Sequence, residues 1–118
     1  MVKIDYKSAG VDIDAGNDTV EKIKNDVKST FSKNVLTGLG SFGSLYDLKP
    51  LFEQYKNPVL VQSIDGVGTK TIIARKLKKF DTIGIDLLSA CANDILVMGA
   101  TPITFLDYIA NDKLFPEI

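Results

Sequence analysis

The chain has 118 residues, room for one domain, and its 45% hydrophobic and 25% charged content excludes an intrinsically disordered segment. A formal charge of −1 gives no reason to expect nucleic acid or an anionic membrane as partner. One cysteine, Cys91, excludes an internal disulfide and fits a reducing, cytoplasmic setting, and with no histidine in the chain any imidazole base must come from elsewhere.

No basic stretch followed by an apolar one opens the chain, so no secretory signal is expected. Residues 1–17 read as a polar, Gly-containing, flexible arm, with Val11 and Ile13 alternating with Asp12 and Asp14 as in a short strand. Asn17 or Asp18 is placed to cap a helix, with Glu21 in its first turn. Val20, Ile23, Val27 and Phe31 recur at helical spacing and predict an amphipathic helix ending near Ser32. Val35–Thr37 reads as a strand, followed by a Gly-rich loop and a turn or short helix over 45–55, broken by Pro50.

Residues 58–65 give the clearest strand signal. Val59, Val61 and Ser63 alternate with Leu60, Gln62 and Ile64, and both faces are largely apolar, as in a central strand. A helix with a basic outer face is expected over 69–79, and a second over 81–98 with Leu87, Leu88, Cys91, Ile95 and Met98 on its buried side. Asp86 and Asn93 share a face of that helix, being seven residues and so about 20° apart. Gly99 should end it, and residues 102–110 read as a last strand, with Phe105 and Tyr108 as core or interface residues. The long apolar stretch 83–110 carries Asp86, Asp94 and Asp107 and is no membrane span. Helices and strands mix without regular crossovers, so the expected fold is α+β, a mixed β-sheet covered by helices.

Three segments could carry chemistry. Gly38-Leu39-Gly40-Ser41-Phe42-Gly43 matches G-x-G-x-x-G, and Asp65 lies 22 residues beyond Gly43, but Pro50 interrupts the helix that a dinucleotide fold needs. A Gly-rich hairpin or an anion-hugging loop are the other readings. Asp65-Gly66-Val67-Gly68-Thr69-Lys70 ends a strand in a carboxylate and opens a helix after two glycines. The carboxylate suits Mg²⁺, and the helix N-terminus with Lys70 suits phosphate. A plain Asp-Gly turn capped by Thr69 fits the same letters. Asn93-Asp94 sits inside an apolar helical stretch, where a buried carboxylate needs a metal or a basic partner unless it points to solvent. Lys7, Asp12 and Asp14 belong to an arm that either folds over a bound triphosphate and metal or stays solvated.

Taken in order, these segments resemble phosphoribosylformylglycinamidine cyclo-ligase, the aminoimidazole ribonucleotide synthetase family. The resemblance runs through Tyr6–Asn17, Gly38–Gly43, Asp65–Lys70, Asp81–Leu87, Asn93-Asp94 and Phe105–Ala110, nearly the whole chain. Ala9–Asn17 is its most specific part, whereas Asn93-Asp94 with Met98-Gly99-Ala100 and Pro102 is shared by a wider superfamily of ATP-using enzymes.

The resemblance implies ATP-dependent closure of formylglycinamidine ribonucleotide to aminoimidazole ribonucleotide, with ADP and phosphate as the other products. It implies Asp65 and Asp94 as ligands of Mg²⁺–ATP. Gly66, Gly68, Thr69, Lys70 and Asn93 would contact the nucleotide, with Asn93 alternatively on the substrate. Lys7, Asp12 and Asp14 would form the phosphate-covering arm, and Gly38, Gly40, Ser41, Phe42 and Gly43 the substrate-side loop. It further implies a homodimer that completes the sheet, with the apolar faces of 59–64 and 103–109 at the interface. Family members are about three times this length, so residues 1–118 are expected to be an incomplete N-terminal ATP-binding domain, inactive alone. Phe80 stands where the family often has histidine, so no imidazole role carries over. Thiamine-phosphate kinase, selenophosphate synthetase and hydrogenase-maturation proteins are the alternatives within the superfamily. A non-catalytic dimerisation fragment is the alternative outside enzymology.

Overall fold

The computed structural model describes residues 5–117, so the first four residues of the expected arm lie outside the described residues. The chain divides into two compact units, Met1–Pro58 with Ile109–Ile118, and Val59–Tyr108.

In the first unit, α1 spans Ile13–Ser29. It starts earlier than the spacing of Val20 onward suggests, because Asp12 is its cap. The Asp12 carboxylate accepts from the Ala15 amide at 3.2 Å, and its carbonyl accepts from Gly16 at 3.0 Å. Asp14 adds an acidic side chain to the first turn, where the helix dipole favours it, and Lys28 a basic one to the last. The alternation of Val11–Asp14 is therefore the approach to a cap and not a strand. The more covered face of α1 carries Ala15, Thr19 and Val27, while Val20, Ile23 and Phe31 remain exposed.

Pro50 opens a helix where a break was expected. It sits in the first turn of α2, Lys49–Gln54, where a missing N–H costs nothing. Between α1 and α2, Val35 and Tyr46 form one antiparallel bridge, supported by Leu36 N–H to the Leu45 carbonyl at 2.8 Å and Asp47 N–H to the Asn34 carbonyl at 2.8 Å. The Gly-rich run 38–43 is the loop of this hairpin. No helix follows it directly, which removes the dinucleotide reading.

The second unit is an αα-hairpin with a tail on each side. α3 spans Lys70–Leu77 and α4 spans Ile83–Leu96, and the two pack on each other. Ala74 of α3, 7% exposed, is the buried hydrophobic residue among those described. Both helices end in the same motif. At α4, Gly99 N–H reaches the Leu96 carbonyl and Ala100 N–H that of Ile95, with Gly99 at φ 74°. At α3, Lys78 N–H reaches the Arg75 carbonyl and Lys79 N–H that of Ala74, with Lys78 at φ 51°. Glycine takes the left-handed conformation freely; lysine does so against its Cβ. On α4, Leu87, Cys91 and Ile95 are half-buried as expected, but Leu88 and Met98 are exposed.

The expected mixed sheet is not formed among the described residues. Residues 58–67 and 101–110 carry no ladder. The period-2 signal survives only in part: Val61 and Ser63 are half-buried while Leu60, Gln62 and Ile64 are exposed, but Val59, expected on the face of Val61 and Ser63, is 84% exposed. A strand exists only with a partner backbone, and neither segment has one here. Phe105 and Tyr108 are likewise exposed, not core.

Two measurements test these local accounts. Lys78→Gly should raise the thermal midpoint followed at 222 nm, by somewhat under about 1 kcal/mol once glycine's extra unfolded-state entropy is set against the relieved strain. A lower midpoint would mean that the lysine side chain contributes more than its backbone costs. The second concerns pH. The Lys7 ammonium, 2.9 Å from Asp12, and then the Ala15 amide hold the Asp12 carboxyl below the usual carboxylate range, and Asp12 in turn holds Lys7 above its ordinary value. The Asp12 contribution is complete above the ordinary carboxylate pKa and is lost as pH falls through the lowered one. That of Lys7 is complete below the ordinary lysine pKa and is lost as pH rises through the raised one. Asp12→Asn, which keeps an acceptor oxygen but no charge, should flatten the acid limb of helicity below about pH 4. Asp12→Ala should lower helicity at every pH.

Candidate functional site

The segments singled out in the sequence divide between the two units. In the second, residues 63–65 lie against the last turns of α4. Ser63 Oγ donates to Asp94 Oδ2 at 2.9 Å, and the Cys91 thiol makes a weak contact with the Asp65 carbonyl at 3.9 Å. Cys91 and Asp94 are one turn apart on α4 and so share a face. The Asp65 carboxylate folds over its own turn and accepts from the Gly66 amide at 2.7 Å. The structure thus brings the Asp65 and Asp94 segments to the same end of α4, 29 residues apart in sequence.

The turn that follows leads into α3. Gly68, at φ 68°, reverses the chain in a conformation that a larger residue would adopt only under strain. Thr69 is the N-cap residue but makes no side-chain cap hydrogen bond, so it is not the capping threonine of the plainer reading. The amides of Thr71 and Ile72 already reach the carbonyls of Gly68 and Thr69. An anion at this end would therefore use the amides before them.

Lys70 does not stand free for a phosphate. Its ammonium pairs with Asp86 Oδ1 at 2.6 Å, joining the first turn of α3 to the first turn of α4. Asp86, in the first turn of α4, thus has both a favourable helix position and a basic partner. Asp94 has a hydroxyl instead and is exposed, so the burial cost that the sequence suggested does not arise. Asn93 is exposed beside it.

In the first unit, Lys7 and Asp12 are paired with each other, and Asp14 lies in the first turn of α1. In the hairpin loop, Gly38, Gly40, Ser41, Phe42 and Gly43 are all exposed, with Leu45 N–H held by Thr37 Oγ1 at 3.0 Å.

The donor set suits magnesium. This hard ion is usually held by one or two carboxylates, with water and phosphate oxygens completing an octahedron. Among the described residues no three acidic, Cys or His side chains gather into an all-protein cage. Asp65 stands at the turn that leads into α3, and Asp94 lies in the last turns of α4. Sequence reasoning missed two contacts, Ser63–Asp94 and Lys70–Asp86. Neither has a spacing signal, since the partners are 31 and 16 residues apart.

The family description "AIR synthase related protein, N-terminal domain" matches residues 51–118. The chain belongs to this family. It is 55% identical over 117 residues to a phosphoribosylformylglycinamidine cyclo-ligase of Carboxydothermus hydrogenoformans, an alignment covering 99% of this chain and 34% of that protein. The same name is carried by a Brevibacillus brevis protein, 54% identical over 112 residues, or 95% of this chain and 32% of the relative. It is also carried by one from Xanthomonas campestris pv. campestris, 57% identical over 109 residues, or 92% and 31%. The chain spans about a third of the length of these curated relatives. Among the described residues, no helix is long and apolar enough to cross a membrane.

The Lys70–Asp86 pair joins side chains 61% and 36% exposed, so its worth is that of a surface pair. Asp86→Asn should cost under about 1 kcal/mol in thermal stability, and the difference should vanish near 1 M salt. A larger, salt-independent loss would mean that Asp86 is needed for packing.

Proposed function

We propose that the protein carrying this chain closes the imidazole ring of a purine precursor, converting formylglycinamidine ribonucleotide and ATP to aminoimidazole ribonucleotide, ADP and phosphate. The name printed for relatives more than 50% identical supports this reading. The observation that carries the site is the meeting of the Asp65 and Asp94 segments on α4, through Ser63–Asp94 and Cys91–Asp65. ATP transfers its terminal phosphoryl group to the formyl oxygen, which turns a poor leaving group into phosphate. A substrate nitrogen attacks that carbon, closes the ring and expels phosphate. The protein contributes position and charge neutralisation.

In this account Asp65 and Asp94 hold Mg²⁺, which neutralises phosphate charge when bound. Gly66, Gly68 and Thr69 offer backbone amides to the phosphates. Lys70 adds its charge after leaving Asp86, an exposed pair that is cheap to open. Asn93 contacts nucleotide or substrate. Lys7, Asp12 and Asp14 form the arm over the phosphates, and the Gly38–Gly43 loop shapes the substrate side. The enzyme works in the cytoplasm as a homodimer, and the open apolar faces at Leu60–Ile64 and Leu106–Ile109 support burial against a partner.

Calorimetric titration with Mg·ATP tests the site. Asp94→Ala should weaken binding at least about tenfold, the loss typical of disturbing a metal's surroundings. Unchanged affinity would remove Asp94 from the site.

A further inference from the structure

Ser63 is a residue for which the proposed reaction has no role, yet its hydroxyl is aimed at one of the two carboxylates on which the site depends. We infer that Ser63 is a positioning residue for Asp94: its hydroxyl holds Oδ2 and so turns the other oxygen, Oδ1, toward a divalent cation. The inference rests on the reading of Asp94 as a magnesium ligand.

The physical case starts from α4. Asp94 lies in its last turns, exposed, on a side chain with two rotatable bonds. Left alone, such a carboxylate samples several rotamers, and a metal must pay for fixing one of them. Ser63 removes part of that freedom beforehand. It is half-buried, its segment is tied to the same helix by the Cys91–Asp65 contact, and its Oγ–H donates at 2.9 Å, an ordinary length for a hydroxyl-to-carboxylate bond. A neutral donor suits this task. It leaves Asp94 with its full negative charge, whereas a lysine in the same place would compete with the cation. The nearest cation that the structure offers the unit's other helical carboxylate is Lys70, and it is engaged with Asp86. Ser63 also lies two residues before Asp65, so one short segment supplies a proposed ligand and orients the other. Partners that hold ligating carboxylates commonly matter tenfold to a hundredfold in metal affinity.

The test uses Mn²⁺ as a paramagnetic stand-in, titrated into the protein with ATP and followed by the loss of the free-ion resonance signal. Ser63→Ala should weaken Mn²⁺ binding about tenfold, and Ser63→Thr, which keeps the hydroxyl, should restore it. ATP binding measured without metal should be the same in all three proteins, which a general loss of structure would not allow. Wild-type Mn²⁺ affinity in Ser63→Ala, or failure of Ser63→Thr to restore it, would overturn the role of Ser63 while leaving Asp94 in place. Absence of Mn²⁺–ATP binding in the unsubstituted protein would overturn both this inference and the metal site it rests on.

Discussion

The second unit depends on a methyl group. Ala74 is the buried hydrophobic side chain of the described residues, and it lies on α3 where α3 and α4 pack. A small side chain fits a buried position of this kind, and enlarging it to leucine would crowd its neighbours. Everything proposed for chemistry in the unit is hung on the two ends of this hairpin. Lys70 and Asp86 clasp one end, and the segment leading to Asp65 lies along the far turns of α4. Around the candidate residues the polar contacts are single ones: Lys70–Asp86 and Ser63–Asp94 between side chains, and Cys91 to the Asp65 carbonyl.

Burial is scarce, and this decides how the polar contacts should be weighed. The ion pairs Lys7–Asp12, Lys49–Glu53, Lys70–Asp86 and Lys79–Asp81 all involve exposed side chains. In water such pairs contribute little to stability, and they can be exchanged for other partners at small cost. What they do supply is local geometry: a cap for α1, and a tie between the starts of α3 and α4. The apolar residues exposed on 58–67 and 101–110 are the larger reserve, since burying one Val, Leu or Ile side chain is worth about 1.5–3 kcal/mol.

Much of the helical structure was legible in the sequence. Gly99 marks the end of α4, and the apolar stripe Leu87, Cys91, Ile95 fixes its inner side. The start of α1 was hidden because Asp12 and Asp14 alternate with Val11 and Ile13, a strand-like pattern that local capping overrides. Pro50 read as a breaker because its position within a first turn cannot be known until the helix is placed. The strand signal at 59–64 places Val61 and Ser63 on the more covered side but not Val59, and it cannot supply the partner that a sheet requires. Asp65 and Asp94 stood out in the sequence because each interrupts an apolar run, yet both carboxylates are exposed and the burial cost that drew attention to Asp94 does not arise. Ser63 did not stand out, because a serine among valines has no pattern of its own, and the Lys70–Asp86 tie joins residues that no periodicity relates.

Cys91 gives the protein a built-in chemical reporter. It is the single thiol of the chain, half-buried, and its sulfur rests against the Asp65 carbonyl. Because the surroundings of that sulfur include the Asp65 backbone, a change in how the 63–65 segment lies against α4 would alter the environment of the thiol, and its alkylation rate could follow such a change.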